Sequence, residues 1–177
     1  MTESIENRRG EATEKAISSS ADIKTILYLQ DKWVIKARKT ADYSKGQSAS
    51  NWSNSFSLVA KFNTVESLWK SLNFGLAKTM YSFFKEGIEP AWEDDKNKNG
   101  CSFHFYSDDD EFKLDLLLLI VGGTVPFYEF VNGYTIDVKR SNYKLSIWFS
   151  VCEDKLNLAE LIKAIGREPD KIEKHTE

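Results

Sequence analysis

The 177 residues, 41% of them hydrophobic, suffice for one ordinary core without disulfide or metal staples. A net charge of −3 and a pI of about 5.6 exclude a long phosphate-backbone grip, yet allow a short nucleotide held by a few local cations. Cys101 and Cys152 form no close-spaced metal motif, no secretory signal is read near Met1, and the apolar run 114–121 is too short for a bilayer, so a cytoplasmic or also nuclear protein is expected.

Residues 1–24 are charged or small without apolar period and read as a disordered tail, leaving 25–177 as a single domain. Over 32–39, Trp33, Ile35 and Ala37 alternate with Lys32, Lys36 and Arg38, the pattern of a half-buried strand. Residues 42–51 are polar and Gly/Ser-rich, hence a loop, and 55–62 form a second strand. Asn63 with Glu66 three residues on predicts a capped helix start; Val65, Leu68, Trp69 and Leu72 follow at helical spacing, and Gly75 can end the helix.

Residues 81–85 are aromatic and strand-like, 87–100 read as a long loop, and 101–106 as a strand. The acidic run 108–111 suits the first turn of a helix that continues through 114–121 to Gly122–Gly123. Two strands, 134–139 and 144–150, are joined by a turn at Ser141, and Leu156, Leu158, Leu161, Ile162 and Ile165 predict a last amphipathic helix ended by Gly166. From Arg167 onward the chain reads as a polar tail containing His175. The sum is an α+β fold, an antiparallel sheet with helices on one face.

Enzyme signatures are missing from this reading: no G-x-G-x-x-G, Walker A, H-E-x-x-H or G-x-S-x-G motif is found. A hydrolytic triad would need His104, which sits in a predicted strand as an ordinary surface or packed histidine. The acidic run matches no calcium loop and is better read as a helix start. No catalytic residue, metal site or cofactor is therefore expected.

The informative stretch is YSFFKEGIEPAWEDDKNKNG, residues 81–100. Trp92 offers a flat, electron-rich face and Glu93 two acceptor oxygens beside it, a pair suited to a planar ligand with adjacent donors on one edge. The run Phe84–Lys85–Glu86–Gly87–Ile88–Glu89–Pro90–Ala91–Trp92–Glu93–Asp94 resembles the F-K-x-G-I-x-P-x-W-E-D core of the translation initiation factor 4E family. LQDKW (29–33) and KFNTVESLW (61–69) match the same family in the same order.

The resemblance implies a curved antiparallel sheet of about eight strands, three helices on its convex back, and a concave face that binds the 7-methylguanosine cap of messenger RNA. Trp52 and Trp92 match the tryptophans that sandwich the methylated base, whose positive charge draws indole faces. Glu93 matches the carboxylate that accepts from N1–H and the N2 amino group, and Trp148 the residue that touches the methyl group. Trp52 and Trp148 also admit an ordinary packing role. Lys139 and Lys144 match basic positions facing the phosphates, with Arg140 beside them. The sequence departs where the family carries cations: Lys139 stands for a common arginine, Ser141 for a common lysine, and Gly100–Cys101–Ser102–Phe103 lacks the basic residue of G-G-basic-W. Weaker or differently selective phosphate contact is expected. Leu27–Tyr28 replaces a His-Pro pair, Lys36 a tryptophan, and the family's C-terminal loop near the cap is expected to be short or absent.

On the back, the resemblance implies a groove for a Tyr-x-x-x-x-Leu-apolar helix, from scaffold factor 4G or a competing repressor. Val65 and Trp69 match one helix of that groove, and Leu114, Asp115, Leu118 and Gly122 the second. Spacing alone leaves Trp69 equally readable as a buried core residue. The expected function is a monomeric, non-enzymatic cap-binding initiation factor. The alternative is an interaction-only or translational-repressor paralogue with weak or altered cap binding.

Overall fold

The computed structural model describes residues 25–39, 55–72 and 79–175. In chain order its elements are β1 (Tyr28–Lys39), β2 (Ser57–Thr64), α1 (Val65–Leu72), β3 (Thr79–Lys85), β4 (Cys101–Ser107), α2 (Asp110–Val121), β5 (Val131–Val138), β6 (Tyr143–Phe149), α3 (Leu158–Ile165) and β7 (Lys171–Lys174). Among the described residues the strands form one seven-stranded sheet in the order β2-β1-β3-β5-β6-β4-β7, and every pairing is antiparallel.

Period-two alternation divides the sheet into two unlike faces. One face carries the rows Phe83, Tyr134, Ile147, Phe103, Ile172 and Tyr81, Ile136, Leu145, Phe105, together with Trp33 and Ile35 of β1. These residues share one core with Leu68 of α1, Leu116, Leu117 and Ile120 of α2, and Leu161 of α3, so the helices lie on this side. The opposite face carries Phe84, Gly133, Trp148, Ser102, Glu173 in one row and Ser82, Thr135, Ser146, His104, Lys171 in the next. Asp137, Lys144 and Tyr106 form a third row. It is a polar face with an aromatic end.

Local chemistry sets the helix starts. Asp109 caps α2, its carboxylate accepting from the N–H groups of Glu111 (2.8 Å) and Phe112 (3.3 Å), while Asp110 and Glu111 occupy the first turn. Asn157 caps α3 by accepting from Glu160, and Gly166 ends it at φ 77°. The predicted Asn63/Glu66 cap of α1 is displaced by one residue. Thr64 and Ser67 form the reciprocal pair instead, each hydroxyl accepting from the other's backbone N–H at 3.2 Å. Glu66 is drawn away to the backbone N–H of Leu27. The proposed stop at Gly75, the tail 1–24 and the loop 42–51 lie outside the described residues.

The largest departure from the sequence reading is at the C-terminal end. The stretch after Arg167 is not a polar tail: it forms β7, pairing Lys171–Lys174 with His104–Cys101 and continuing to a hydrogen bond from His175 N–H to Gly100 C=O (2.9 Å). Ile172 packs on the core side and Glu173 faces the polar side. Among the described residues no helix is long and apolar enough to cross a membrane.

Candidate functional site

The aromatic end of the polar face is assembled by one loop and three strands. Residues 86–100 carry no apolar period, and polar side chains order them instead. Asp94 accepts from the backbone N–H groups of Glu89 (2.9 Å) and Lys96 (2.8 Å). Asn97, fully buried, donates from Nδ2 to the carbonyls of Glu89 and Ala91, both at 2.8 Å. Asn132 of β5 then donates to Asn97 Oδ1 (2.9 Å) and to the Lys96 carbonyl (2.7 Å), tying the loop to the sheet. Gly100 is required where β4 begins, since a Cβ there would lie 1.8 Å from the Phe149 carbonyl oxygen.

This bracing presents Trp92 46% exposed, with Glu93 exposed beside it. Trp148 is only 7% exposed but stands outside the helix-side core. Its ring meets Phe84 edge-on at 5.4 Å, and its Nε1–H reaches toward Thr135 Oγ1 at 3.5 Å. Gly133 lies between them in the row: a Cβ there would fall 2.5 Å from the Phe84 ring, so the aromatic floor needs a residue without a side chain. Trp52, the other expected sandwich residue, lies outside the described residues.

Between Trp92 and Trp148 sits His175, 2% exposed. Its ring is nearly parallel to Trp92 (16°, centroids 5.9 Å) and tilted against Trp148 at 4.7 Å. Nδ1 is 2.8 Å from the Asn97 carbonyl, so Nδ1 carries the proton and donates; Nε2 then accepts from Ser102 Oγ at 2.6 Å. Burial depresses its pKa, opposed by the Asn97 carbonyl and Glu173. His104, one row further, holds the other tautomer. Its Nε2–H donates to Glu173 (2.9 Å) and its Nδ1 accepts from Ser146 (2.8 Å); burial lowers its pKa too. Glu173, hydrogen-bonded to Lys171 and His104, is driven down to about 2.

The expected cations lie at the far end of the same face. Lys139 and Arg140 are exposed in the β5–β6 turn, closed by Lys139 N–H to Asn142 C=O (2.8 Å), and Lys139 is paired with Asp137. Lys144 is half-buried on β6, its pKa lowered by burial and partly restored by Glu173. It lies four residue steps along β6 from Trp148, roughly 13 Å at strand rise.

On the helix side, exposure separates the two readings of Trp69: the ring is 44% exposed whereas its neighbour Leu68 is buried at 2%. Val65 is half-buried on the same helix. On α2, Leu114 and Leu118 are half-buried while Asp115 and Gly122 are exposed, with 114, 118 and 122 at spacing four along one side. Sequence reasoning passed over Ile26 and read Leu27 and Tyr28 only as the replacement of a His-Pro pair; all three are more than half exposed. The Leu27 carbonyl accepts from Val65 N–H at 2.9 Å, placing this apolar stretch at the start of α1. Gln30 Oε1 lies close to Gly123, so the same segment also reaches the end of α2. The signal was legible: three large apolar residues standing where a strand begins. Asn97, Asn132 and His175 were also missed, and for them the sequence carries no motif.

Comparison with known proteins agrees with this architecture. The eukaryotic initiation factor 4E family model matches residues 28–173. The chain is 33% identical to human eukaryotic translation initiation factor 4E over 153 residues, 78% of this chain, and spans 66% of the human protein, just under two thirds of its length. Among solved structures, Caenorhabditis elegans eIF4E-3 with the 4E-binding protein Mextli and a cap analogue superposes with a TM-score of 0.70 at 26% identity, covering 85% of this chain and 94% of that one. Ascaris suum eIF4E-3 with an m7G cap gives 0.69 at 27% identity, covering 86% and 93%. The family is one of translation factors rather than enzymes. With the motif of residues 84–94, the sheet and the helix-covered back all in agreement, this chain belongs to the eukaryotic initiation factor 4E family.

Proposed function

We propose that the protein binds the 7-methylguanosine cap of messenger RNA on the polar face and delivers it to a scaffold protein docked on the helix face. The observation that carries this reading is the exposed Trp92, held in a hydrogen-bonded loop on the face that bears Trp148 and, roughly 13 Å along β6, Lys144. The C. elegans and Ascaris relatives were solved with cap ligands, which supports the same ligand class here.

In this proposal the positively charged base stacks on Trp92, with Trp52 as the second indole, and Trp148 meets the methyl group. Glu93 accepts from the guanine N1–H and amino donors, which adenine lacks. Lys139, Arg140 and Lys144 take the phosphates, but Asp137 already occupies Lys139, so a polyphosphate must displace it. A helical Tyr-x-x-x-x-Leu-apolar peptide, from factor 4G or a repressor, lies over Val65, Trp69, Leu114, Asp115, Leu118 and Gly122, extended by Leu27 and Tyr28. The complex of the nematode relative with Mextli supports such a partner class.

The test is a titration with 7-methyl-GTP and with GTP, followed by tryptophan fluorescence. Strong quenching by the methylated nucleotide alone supports the proposal. A folded protein quenched by neither favours the second reading, an interaction-only repressor paralogue. Ser102, uncharged where the family carries a cation, is the observation on that side.

A further inference from the structure

The imidazole of His175 lies 5.9 Å from Trp92, which would stack the base, and 4.7 Å from Trp148, which would meet its methyl group. At 2% exposed, the ring backs these two indoles, so its charge acts on a base stacked on Trp92 through them. Two hydrogen bonds fix its orientation: Asn97 C=O receives Nδ1–H, and Ser102 Oγ–H is received by Nε2. Its place in β-register opposite Gly100 sets it on the polar face, two residues beyond Glu173.

Resting on the cap-binding reading above, we propose that His175 backs the indoles of the base pocket and selects for the positively charged, N7-alkylated purine through the charge state of its imidazole. Neutral, the ring leaves the electron density of Trp92 and Trp148 to the cationic base. Protonated, it places a positive charge against the same two indoles, competing for their faces and repelling the base. It also loses the lone pair that accepts from Ser102, so the hydroxyl must turn.

The groups facing the ring are few. Ser102 of β4, Trp148 of β6, and Trp92 and Asn97 of the loop do not titrate near neutrality. Glu173 of β7 acts on it at longer range and favours the protonated form, as does the Asn97 carbonyl; burial opposes both and outweighs them, so the ring is neutral at pH 7. His104, next along β4, is engaged with Glu173 and Ser146.

The test compares 7-methyl-GTP affinity at pH 7.5 and pH 5.5 for the full chain and for His175→Asn, by titration calorimetry. Ionisation of the ligand is common to both proteins and cancels in the ratio. The wild type is expected to lose about threefold more affinity on acidification than the variant. Coincident pH profiles overturn the proposal and leave His175 as a support of the loop. Should the variant not fold, the wild type alone decides, because the chain has two histidines and hence two imidazole Cε1 resonances. Saturation with 7-methyl-GTP should lower the His175 midpoint by about one pH unit, and GTP should not; an unmoved midpoint overturns the proposal. A folded protein that binds no 7-methyl-GTP even at pH 7.5 fails the cap-binding reading itself, an outcome distinct from binding with coincident profiles.

Discussion

The polar face and the helix face each present an exposed tryptophan, and they hold it by different means. Trp69 stands on a helix whose other side is anchored by Leu68 in the core, so apolar burial positions it. Trp92 stands on a loop without an apolar anchor at its tip, positioned by Asp94, Asn97 and Asn132 through directional hydrogen bonds. The first arrangement tolerates sliding and suits a peptide that packs by shape. The second fixes a plane, which stacking on a flat base requires. The two sites should accordingly fail separately and for different causes.

The sharpest break is Trp92→Ala. It should cost about 100-fold in 7-methyl-GTP affinity, or about 3 kcal/mol, from lost stacking and cation–π contact, while capture of a Tyr-x-x-x-x-Leu-apolar peptide stays within twofold. Trp69→Ala should do the reverse, weakening that peptide by about 30-fold with cap-analogue binding unchanged. If each substitution damaged both ligands equally, the two faces would not be separate sites. Asn97→Ala should leave the loop's carbonyls unpaired and cost about 2 kcal/mol in urea denaturation and about tenfold in 7-methyl-GTP affinity, with peptide binding spared. Full retention of cap-analogue affinity would show that the hydrogen bonds do not position Trp92.

Acid should act mainly through the polar face. Glu173, at about 2 against an ordinary 4.5, contributes stability that is present above pH 4.5 and lost as pH falls toward 2. Allowing for solvent screening, that loss is on the order of 1 kcal/mol. His104 and His175, depressed by burial, add a penalty that grows as pH falls below their ordinary 6.5. Urea midpoints measured from pH 7 to 3 should therefore decline in two stages, and Glu173→Gln should flatten the lower one. An unchanged lower limb in that variant would remove Glu173 from the account. The smallest effect is expected from Asp137→Asn, which releases Lys139 and should raise 7-methyl-GTP affinity about threefold; a fall in affinity would speak against Lys139 as a phosphate contact.

Much of the fold was legible because it is locally encoded. Trp33 and Ile35 alternate with polar neighbours and are buried, and Asp109–Glu111 begins a helix. The run 84–94 carried both the loop and the family. The exposure of Trp69 was not legible, since helical spacing says which residues share a face and not which face is covered. β7 was missed because Lys171–Lys174 has one apolar residue in four, and its pairing with Cys101–His104 spans about seventy positions of sequence. His175 followed it out of view: a histidine among charges gives no hint that a distant Asn97 and Ser102 take up both ring nitrogens. The α1 cap slipped by one residue because Glu66 had a competing partner in Leu27, again a contact remote in sequence.

The shortness of β7 has a consequence for solubility. β4 offers Cys101, Phe103 and Phe105 to the core, and without a neighbour its outer edge would be a row of open backbone groups beside an apolar strand, the kind of template on which chains pair and aggregate. Four residues cover much of that edge, and three of them are Lys171, Glu173 and Lys174, whose charges make the new border a poor docking rail for another strand. Unzipping this ribbon would loosen Trp92 and open a seam for self-association at once, so soluble aggregate should appear in parallel with loss of nucleotide binding.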